Sequence, residues 1–565
     1  MAAVNLEQRP WLKIYPPEIA HDIDTAGQDT LALLLNKAFQ QYAQKPAFDS
    51  FGKVLTFAEV QAKAASVTAW LQQSGYKKGD RIALMMPNIM AYPVVLIGAL
   101  LGGYTIVNVN PLYTARELTH QLNDSGARAL FVIENFANVV QEALPNLKLD
   151  KVVICTAGDA LGFKGTIINL VARYVKKVIP AYSLPGAGRL KDVLDTEGKP
   201  QAVTIAPDDI AFLQYTGGTT GVSKGATLLH RNVAAYVVQS RTFLGPFQAS
   251  ADGRDVMITA LPLYHIFALT CCCMQMMCTG ACCVLIANPR DIPGFIKTLK
   301  STHFTMMSGV NTLYNALANH PDIKDVNFSA MKFSVAGGMA TQRAVAQRWK
   351  ELTGRPIVEG YGLSETSPVA TVNLPTITDF TGTIGVPVPG TDVSIRDDDG
   401  KVVARGESGE ICIKGPQVMA GYWQRPDETA KVMTPDGYFK SGDVGIMLPD
   451  GQFKIVDRKK DMVLVSGFNV YPNEVEDVLA MHPGVLEAAV IGLPDKSSGE
   501  AVAAYVVKKD PSLTEEALRA HARENLTAYK VPKHITFREA LPKTNVGKVL
   551  RRVLRDEVMA ENKQA

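Results

Sequence analysis

The sequence predicts an α/β protein with parallel sheets, extended by an antiparallel unit and a small C-terminal domain. Over most of the chain, short apolar strand-like runs alternate with segments of helical periodicity, which is typical of parallel sheets. From about Gly382 the pattern changes to short strands separated by glycine, proline and aspartate turns, which favours an antiparallel, barrel-like unit. A length of 565 residues is too great for one hydrophobic core and indicates several folding units.

The expected strands and helices follow one another along the first two-thirds of the chain. We expect strands at Tyr104–Asn110, Ala127–Ile133, Val152–Thr156, Asp209–Tyr215, Val256–Leu261, Cys282–Ala287, Phe304–Met307 and Lys332–Val335. We expect helices at Asn88–Leu101, His230–Gln239, Asp291–Lys300 and Thr341–Thr353. This order predicts crossover connections between parallel strands.

A domain boundary is predicted at Arg458–Asp461. A run of charged residues there is followed by a strand and then by a βα-type pattern that reaches the end of the chain. On charge alone, the same run fits a solvated turn. We expect an N-terminal domain over residues 1–457, with its barrel-like part at about 382–457, and a C-terminal domain over residues 462–565, joined by residues 458–461.

Composition argues against several classes of protein. The formal net charge of +3 gives no global attraction to nucleic acid, so no nucleic-acid partner is expected. Residues 1–19 mix charged and apolar side chains without a signal-like apolar core, which favours a cytoplasmic protein. Six of the eight cysteines fall within Cys271–Cys283 without a CxxC pair, so we interpret them as apolar filling rather than as a metal site.

One apolar segment raises the question of a membrane span. Ile266–Ala287 carries no formal charge and is long enough to cross a bilayer. Its polar residues, a helix break near Gly280 and the lack of basic flanking residues favour a buried helix followed by a strand.

A second segment has the pattern of a basic amphipathic helix. In Thr166–Ile179, one helical face carries Ile167, Ile168, Val171, Val175 and Val178, and the other carries Arg173, Lys176 and Lys177. This pattern fits a surface helix packed on the core, and it also fits a helix lying on an anionic membrane.

Tyr215–Ala226, YTGGTTGVSKGA, combines glycines with hydroxyl side chains and a lysine. Glycines let successive backbone N–H groups converge on an anion, and threonine and serine hydroxyls add donors. The segment is not a Walker A loop, because Lys224 is followed by Gly225 rather than by serine or threonine. Its position between an expected strand and the expected helix at His230 predicts a phosphate loop of another kind.

Further polar positions fit a single nucleotide site. His265 lies in LPLYHIFAL, Glu365 in GYGLSET, a glycine pair in SVAGGMA and Asp443 in YFKSGDVG. Each motif alone is more often structural than functional. Together with the phosphate loop, they supply a carboxylate for Mg²⁺, a glycine wall for a base and an aspartate for two ribose hydroxyls.

In combination, the motifs resemble the adenylate-forming superfamily, which includes the acyl-CoA synthetases. YTGGTTGVSKGA, GYGLSET, YFKSGDVG, DRKKDMVLVSGFNVYP and PKTNVGKVLRR stand in the order and at the spacing of that family, and the resemblance covers nearly the whole chain. NPLYTAREL, NPRDIPG and KGPQVMAGYWQRPDET are similar to the bacterial long-chain fatty-acyl-CoA synthetases. The resemblance implies two doubly wound sheets plus the barrel-like unit in a large N-terminal domain, and a small mobile α+β C-terminal domain.

The resemblance also implies roles for individual residues. The nucleotide-binding positions would be Tyr215, Thr216, Gly217, Gly218, Thr219, Thr220, Gly221, Lys224, Gly337, Gly338, Gly360, Tyr361, Gly362, Asp443, Arg458 and Lys548. Thr216 and Glu365 would help to hold Mg²⁺, and His265 would lie near the substrate carboxylate. Lys548 matches the family's catalytic lysine. Some long-chain members place a gate tryptophan where this chain has Leu269, so tryptophan gating is not expected.

The implied reaction activates a long-chain fatty acid in two steps, with ATP and CoA as co-substrates and Mg²⁺ as cofactor. Attack of a carboxylate on the α-phosphorus of ATP needs cations to offset the repulsion of two anions, and Lys548 supplies one. The thiol of CoA must then approach from the side that Lys548 occupies. We therefore expect the C-terminal domain to rotate about Lys460 and to present Gly467, where a β-carbon would narrow the pantetheine tunnel.

Two alternatives stay open at this stage. A fatty-acyl-AMP ligase that delivers the acyl group to a carrier protein would share the first step. An integral membrane protein for fatty-acid transport or binding would use Ile266–Ala287 as its span. We expect an enzyme bound peripherally to the inner face of the cytoplasmic membrane, and the existence of a homodimer is left open.

Overall fold

The structure is a computed structural model that describes residues 9–24, 29–216, 223–248, 253–458, 460–466, 468–495, 498–544 and 547–564. Within these ranges the chain forms four β-sheets with helices packed around them. The predicted α/β fold class is confirmed by the parallel order of strands in the two largest sheets.

The helices begin where the sequence supplies caps. Thr56 and Thr114 are the N-cap residues of α2 and α4. Each forms a capping box, in which the glutamate three residues later accepts a hydrogen bond from the backbone nitrogen of the threonine. The α-helices are α1 (Leu31–Tyr42), α2 (Phe57–Gln73), α3 (Ala91–Leu101), α4 (Ala115–Ser125), α5 (Ala137–Ala143), α6 (Phe163–Leu170), α7 (Leu190–Leu194), α8 (His230–Gln248), α9 (Gln275–Thr279), α10 (Ile292–Ser301), α11 (Asn311–Ala318), α12 (Arg343–Thr353), α13 (Pro426–Val432), α14 (Pro472–Met481), α15 (Glu515–Asn525) and α16 (Arg551–Gln564). Two π-helical segments, Val171–Val175 and Ala268–Met274, continue α6 and precede α9.

The strands are mostly short, and many of them are buried. They are β1 (Pro46–Ser50), β2 (Lys53–Thr56), β3 (Arg81–Met85), β4 (Thr105–Asn108), β5 (Ala127–Ile133), β6 (Lys151–Cys155), β7 (Gly188–Arg189), β8 (Ile210–Thr216), β9 (Lys224–Leu229), β10 (Val256–Thr259), β11 (Cys282–Leu285), β12 (Met306–Gly309), β13 (Phe333–Gly337), β14 (Ile357–Tyr361), β15 (Thr371–Val372), β16 (Val386–Pro387), β17 (Asp392–Arg396), β18 (Ser408–Lys414), β19 (Gly421–Tyr422), β20 (Phe439–Met447), β21 (Phe453–Arg458), β22 (Val463–Val465), β23 (Phe468–Val470), β24 (Val485–Asp495), β25 (Gly499–Lys508) and β26 (His534–Arg538).

Among the described residues, two large sheets have parallel centres and antiparallel edges. One has the order β16-β15-β14-β13-β12-β10-β11-β1-β2, and the other has the order β19-β9-β8-β4-β3-β5-β6-β7. The expected antiparallel unit is the sheet β17-β18-β20-β21. The C-terminal part forms the sheet β23-β22-β25-β24, with β26 parallel to β25.

A strand that was not predicted from the sequence follows the phosphate loop. The segment after the loop does not lead directly into the helix at His230, because β9 intervenes and pairs antiparallel with β8. The loop is therefore a hairpin connection between two strands. β9 is buried on both faces. Its sequence therefore lacks the alternation of apolar and polar residues that marks a strand with one exposed face.

Ile266–Ala287 forms the predicted buried helix and strand. Its helical part ends at Gly280, which adopts the left-handed conformation that favours glycine, and β11 follows. In the portion of the chain that the structure describes, no helix combines the length and apolarity needed to cross a membrane. The segment considered as a membrane span is thus divided between a helix and a strand.

Candidate functional site

A cavity of about 1860 Å³ lies where the large sheets, the antiparallel sheet and the C-terminal part meet. The carboxyl ends of β13 and β14 open into it, which is the usual place for a ligand in a parallel sheet. The end of β8, the strands β20 and β21, and the segment containing Lys548 complete its walls. The cavity thus brings together motifs that are far apart in the sequence.

Glycines form one wall of the cavity. Gly337 and Gly360 stand side by side on adjacent strands. A β-carbon on Gly337 would lie 3.0 Å from the carbonyl oxygen of Gly360, and one on Gly338 would lie 3.4 Å from Cε of Lys548. Gly338 also has a φ of +79°, which favours glycine. Gly362 is glycine for packing, because a β-carbon there would lie 1.8 Å from the carbonyl oxygen of Pro368.

Lys548 reaches this glycine wall from a tight turn. The backbone nitrogen of Lys548 donates to Oγ1 of Thr544, and the backbone nitrogen of Thr544 donates to the Lys548 carbonyl. Thr312 of α11 donates through Oγ1 to the carbonyl of Gly547, which ties the turn to the N-terminal domain. Burial and the nearby Arg458 lower the pKa of Lys548 to about 8. A cation that titrates near neutral pH therefore faces the cavity.

Asp443 lies beside Lys548 and is held by two neighbours. The hydroxyl of Tyr361 donates to Oδ2 at 2.8 Å, and Nε of Arg458 lies 3.2 Å from Oδ1. Asp443 and Arg458 face each other in the pairing of β20 with β21. Each carboxylate oxygen has a second lone pair available. The structure brings these three predicted nucleotide positions together.

Glu365 and the ends of the phosphate hairpin lie on another side of the cavity. Glu365 accepts a hydrogen bond from the hydroxyl of Tyr422 at 2.7 Å, and burial raises the pKa of its carboxyl. Lys224 forms an ion pair with Glu428, and its Nζ lies 5.3 Å from the centre of the Tyr422 ring. Tyr215 and Thr216 line the cavity at the end of β8. The predicted positions Gly217, Gly218, Thr219, Thr220 and Gly221 lie outside the described residues.

The donor set at Glu365 fits a Mg²⁺ ion shared with phosphates. Within the described ranges, no group of three or more His, Cys, Asp or Glu side chains could hold a metal ion. Magnesium, however, is usually held by one or two carboxylates together with waters and substrate phosphates. The Glu365 carboxylate and the Thr216 hydroxyl both line the cavity and supply oxygen ligands of this kind.

His265 is a neutral imidazole in the cavity wall. Burial and the positive charge of Lys548 lower its pKa to about 4. Its Nδ1 accepts a hydrogen bond from the backbone nitrogen of Phe267. Asn88 fixes the turn before it, since the Asn88 amide donates to the carbonyls of Thr259 and Leu261. His265 lines the same cavity as Lys548, and its place near the substrate carboxylate stays a prediction.

An apolar passage extends from His265 along α8. Residues three and four apart on α8 line it, opposite the π-helical segment that precedes α9. These α8 residues are Tyr236, Gln239, Ser240, Phe243 and Leu244. Cys271, Gln275 and Met276 line the other side. Leu269, at the position considered for a gate, is fully buried in the core.

The predicted hinge residues are only partly described. Lys460 is exposed as a whole residue and lines the cavity. Its ammonium group is partly buried, and this burial lowers its pKa. Gly467 lies outside the described residues, so the structure says nothing of its surroundings.

Arg551, which the sequence did not single out, joins the segment around Asp457 and Asp461 to α14. Arg551 contacts Asp457 at 3.5 Å and Asp461 at 3.5 Å, and it donates to Glu476 and Asn473. Asp457 is fully buried at the end of the N-terminal domain, and burial raises its pKa to about 6. Arg551 stands three residues after Lys548 in PKTNVGKVLRR, which was the available signal.

Glu359, which the sequence did not single out either, lies on β14 beside the glycine wall. Its Oε1 accepts from the backbone nitrogen of Thr341 at 3.2 Å, whereas its buried Oε2 has no hydrogen-bond partner. Burial raises the pKa of its carboxyl to about 8. The residue precedes the GYGLSET motif directly, so its place was visible but its burial was not.

Comparison with known proteins supports a common architecture. Residues 35–423 match the family model "AMP-binding enzyme", and residues 474–548 match "AMP-binding enzyme C-terminal domain". The long-chain-fatty-acid–CoA ligase of Salmonella typhimurium strain LT2 is 50% identical to this chain, and the match spans 97% of this chain and 98% of that protein. The long-chain-fatty-acid–CoA ligase of Haemophilus influenzae is 49% identical, and the match spans 98% of this chain and 99% of that protein. The crystal structure of the anthranilate CoA ligase AuaEII with anthranoyl-AMP superposes with a TM-score of 0.85 at 25% identity, covering 96% of this chain and all of that one.

Proposed function

Because the chain belongs to the family of AMP-binding enzymes, we propose that it is an ATP-dependent long-chain-fatty-acid–CoA ligase. The enzyme joins a long-chain fatty acid to CoA through an acyl-adenylate and releases AMP and pyrophosphate. One observation carries this proposal beyond the family: a single cavity joins the site around Lys548 to the apolar passage along α8.

In the first step, a carboxylate oxygen of the fatty acid attacks the α-phosphorus of ATP. A new P–O bond forms, and the bond to the pyrophosphate leaving group breaks. Lys548 offsets the repulsion between the two anions and stabilises the negative charge that develops at phosphorus. His265 is neutral at pH 7 and so adds no charge near the substrate carboxylate. Its ring forms part of the wall at the place where the carboxylate approaches the nucleotide.

The nucleotide is held by the surrounding residues. Gly337, Gly338 and Gly360 give a flat wall on which a purine can lie next to Tyr361, because side chains there would fill the space. The second lone pairs of Asp443 accept from the two ribose hydroxyls. The hairpin from Thr216 to Lys224 is assigned to the β- and γ-phosphates.

Thr216 and Glu365 are the residues that would hold Mg²⁺. When bound there with the phosphates, Mg²⁺ neutralises phosphate charge during the first step.

In the second step, the thiol of CoA attacks the acyl carbonyl. The S–C bond forms, the thiol proton is lost, and AMP leaves as the C–O bond breaks. In the described arrangement the Lys548 turn lies against the glycine wall, so the thiol needs this turn to withdraw. Rotation at residues 458–461 about Lys460, which lies on the surface at the boundary of the two domains, provides the movement, and Gly467 is assigned to the pantetheine path.

We place the enzyme in the cytoplasm, at the inner face of the membrane. A long-chain fatty acid dissolves in the bilayer far better than in water, so an enzyme that collects this substrate benefits from contact with the membrane surface.

The proposal is tested by measuring pyrophosphate release and acyl-CoA formation in parallel. Fatty acids from hexanoate to stearate are supplied with and without CoA, to the wild type and to Lys548→Ala. We expect both products with long chains, and loss of pyrophosphate release in Lys548→Ala. Lys533→Ala is the matched control, because Lys533 is an exposed lysine of the same domain. Pyrophosphate release without a thioester would instead identify a fatty-acyl-AMP ligase that serves a carrier protein.

A further inference from the structure

The helix α6 and the π-helical segment that continues it present their apolar face to solvent. Phe163 is 82% exposed, Tyr174 67% and Val175 73%. Ile167, Leu170, Val171 and Val178 complete this face and are also exposed. We call these seven residues the 163–178 surface. A helix packed on a core through this face would bury these residues, so of the two interpretations left open for this segment, the exposed face favours a helix that meets a membrane surface.

Polar contacts hold the helix in this orientation. Arg173 forms an ion pair with Glu134, which is only 2% exposed. Asn169 donates to the hydroxyl oxygen of Thr156 and accepts from the backbone nitrogen of Gly158. Arg173, Asn169 and Ile168 therefore face the protein body, whereas the seven side chains of the 163–178 surface face outward.

The backbone of Gly165 lies close to that of Gly158, and this contact also restricts the orientation of the helix. A β-carbon on Gly165 would lie 1.9 Å from the carbonyl oxygen of Gly158. The helix is thus pressed against the preceding loop through a glycine pair, and it cannot roll to bury its apolar face without losing this contact.

The segment that carries this surface is basic. The sequence has no aspartate or glutamate between Asp159 and Asp192. Lys164, Lys176 and Lys177 are exposed beside the apolar residues. Apolar side chains rimmed by lysines match the boundary between the acyl chains and the headgroups of an anionic bilayer.

A second element extends the same face. A β-carbon on Gly52, in the turn between β1 and β2, would lie 3.2 Å from Nζ of Lys164. Phe51 in that turn and Val54 in β2 are exposed as well. A separate hairpin that carries exposed apolar side chains therefore lies beside Lys164.

We propose that the 163–178 surface docks the enzyme on an anionic lipid bilayer. Its purpose, the collection of fatty acid from the membrane, rests on the proposed function, but the docking itself does not. A second copy of this chain is a poorer occupant, because pairing two such surfaces would bring their lysine clusters together. Anionic headgroups complement these lysines, while the acyl region receives Phe163, Tyr174 and Val175.

Flotation with lipid vesicles tests the proposal. The full-length protein is mixed with vesicles of phosphatidylcholine alone or of phosphatidylcholine with phosphatidylglycerol. We expect binding to the anionic vesicles. Replacing Lys164, Lys176 and Lys177 by glutamine should weaken it about 100-fold, at about fivefold for each lysine. Phe163→Ser/Tyr174→Ser/Val175→Ser should weaken it at least about tenfold, because apolar burial is lost.

Two further variants make the test specific. Val402→Ser is the matched control, since Val402 is 61% exposed on a different part of the protein, and it should bind as the wild type does. Phe163→Trp should shift its fluorescence to shorter wavelength on anionic vesicles and be quenched by brominated acyl chains. Lys548→Ala should bind vesicles fully, so failure of the proposed ligase reaction is distinguished from failure of docking.

Three results would overturn the proposal. The first is vesicle binding by the serine triple variant equal to that of the wild type. The second is a fluorescence emission of the Phe163→Trp variant that vesicles leave unchanged. The third is a dimer in sedimentation analysis that the serine triple variant converts to monomer while vesicle binding persists, which would assign the surface to a second copy. A melting temperature of the triple variant equal to that of the wild type would establish that it is folded.

Discussion

The depressed pKa of Lys548 predicts an unusual pH dependence of the first step. Its ammonium group stabilises the adenylation transition state only when protonated, and burial lowers its pKa to about 8. Adenylation efficiency should therefore be complete below this pKa and should fall as the pH rises through it. An ordinary lysine, with a pKa of about 10.4, would stay charged across the same range.

The magnitude follows from one ionisation. With a pKa of about 8, the protonated fraction is about 0.9 at pH 7 and about 0.1 at pH 9, a roughly tenfold decrease. His265 does not contribute, because its pKa of about 4 keeps it neutral throughout. Glu359 does titrate in this range, since burial raises its pKa to about 8.

The assay is pyrophosphate release without CoA, measured as kcat/KM for ATP between about pH 6 and 9.5, which reports ionisations of the free enzyme. Lys548→Arg keeps its charge and should show a flat profile at lower activity. Glu359→Gln removes the other group that titrates near pH 8 and should retain the decrease. A flat wild-type profile, or the same decrease in Lys548→Arg, would refute the reasoning.

Three other outcomes are expected. Arg551→Met leaves the buried carboxylate of Asp457 without its cationic partner, so pyrophosphate release should fall about 10- to 100-fold. Thioester formation from supplied acyl-adenylate should change little. Equal losses in the two half-reactions would contradict a role of Arg551 in positioning Lys548. Lys460→Pro should slow thioester formation far more than adenylation, and the same loss in both half-reactions would argue against the hinge. Glu359 holds a proton in the folded protein that the unfolded chain releases above about pH 4.3, so wild-type stability should fall between about pH 4.3 and 8. Glu359→Gln should lose this decrease of stability with pH. The same change of melting temperature with pH in both proteins would contradict the raised pKa of Glu359.

Much of the site could be predicted because its residues cluster at strand ends. Gly337, Gly338 and Tyr361 follow apolar runs, and the carboxyl ends of parallel strands share one edge of a sheet. Asp443 and Arg458 were expected at one nucleotide, and the pairing of β20 with β21 places them opposite each other. Their motifs carried enough local pattern to be recognised one at a time.

Long-range pairing limited the rest. Arg551 meets Asp457 across 94 positions of sequence, and nothing local to either residue indicates that partnership. Glu359 owes its raised pKa to burial, which a single carboxylate in a sequence does not reveal. The orientation of the 163–178 surface was left open for a third reason: helical periodicity groups residues on one face but does not say whether that face points inward.

The cysteines beside the acyl passage have a consequence for side reactions. Cys271 lines the cavity with its Sγ 2.8 Å from the Tyr236 hydroxyl, and burial raises its pKa well above the ordinary value. Burial likewise raises the pKa of Cys272 to about 12. Since a thiolate rather than a thiol is the nucleophile, these side chains stay inert toward an activated acyl group held nearby. We therefore expect no acyl transfer to these cysteines, so that the thiol that reacts with the acyl carbonyl is the one that CoA brings in.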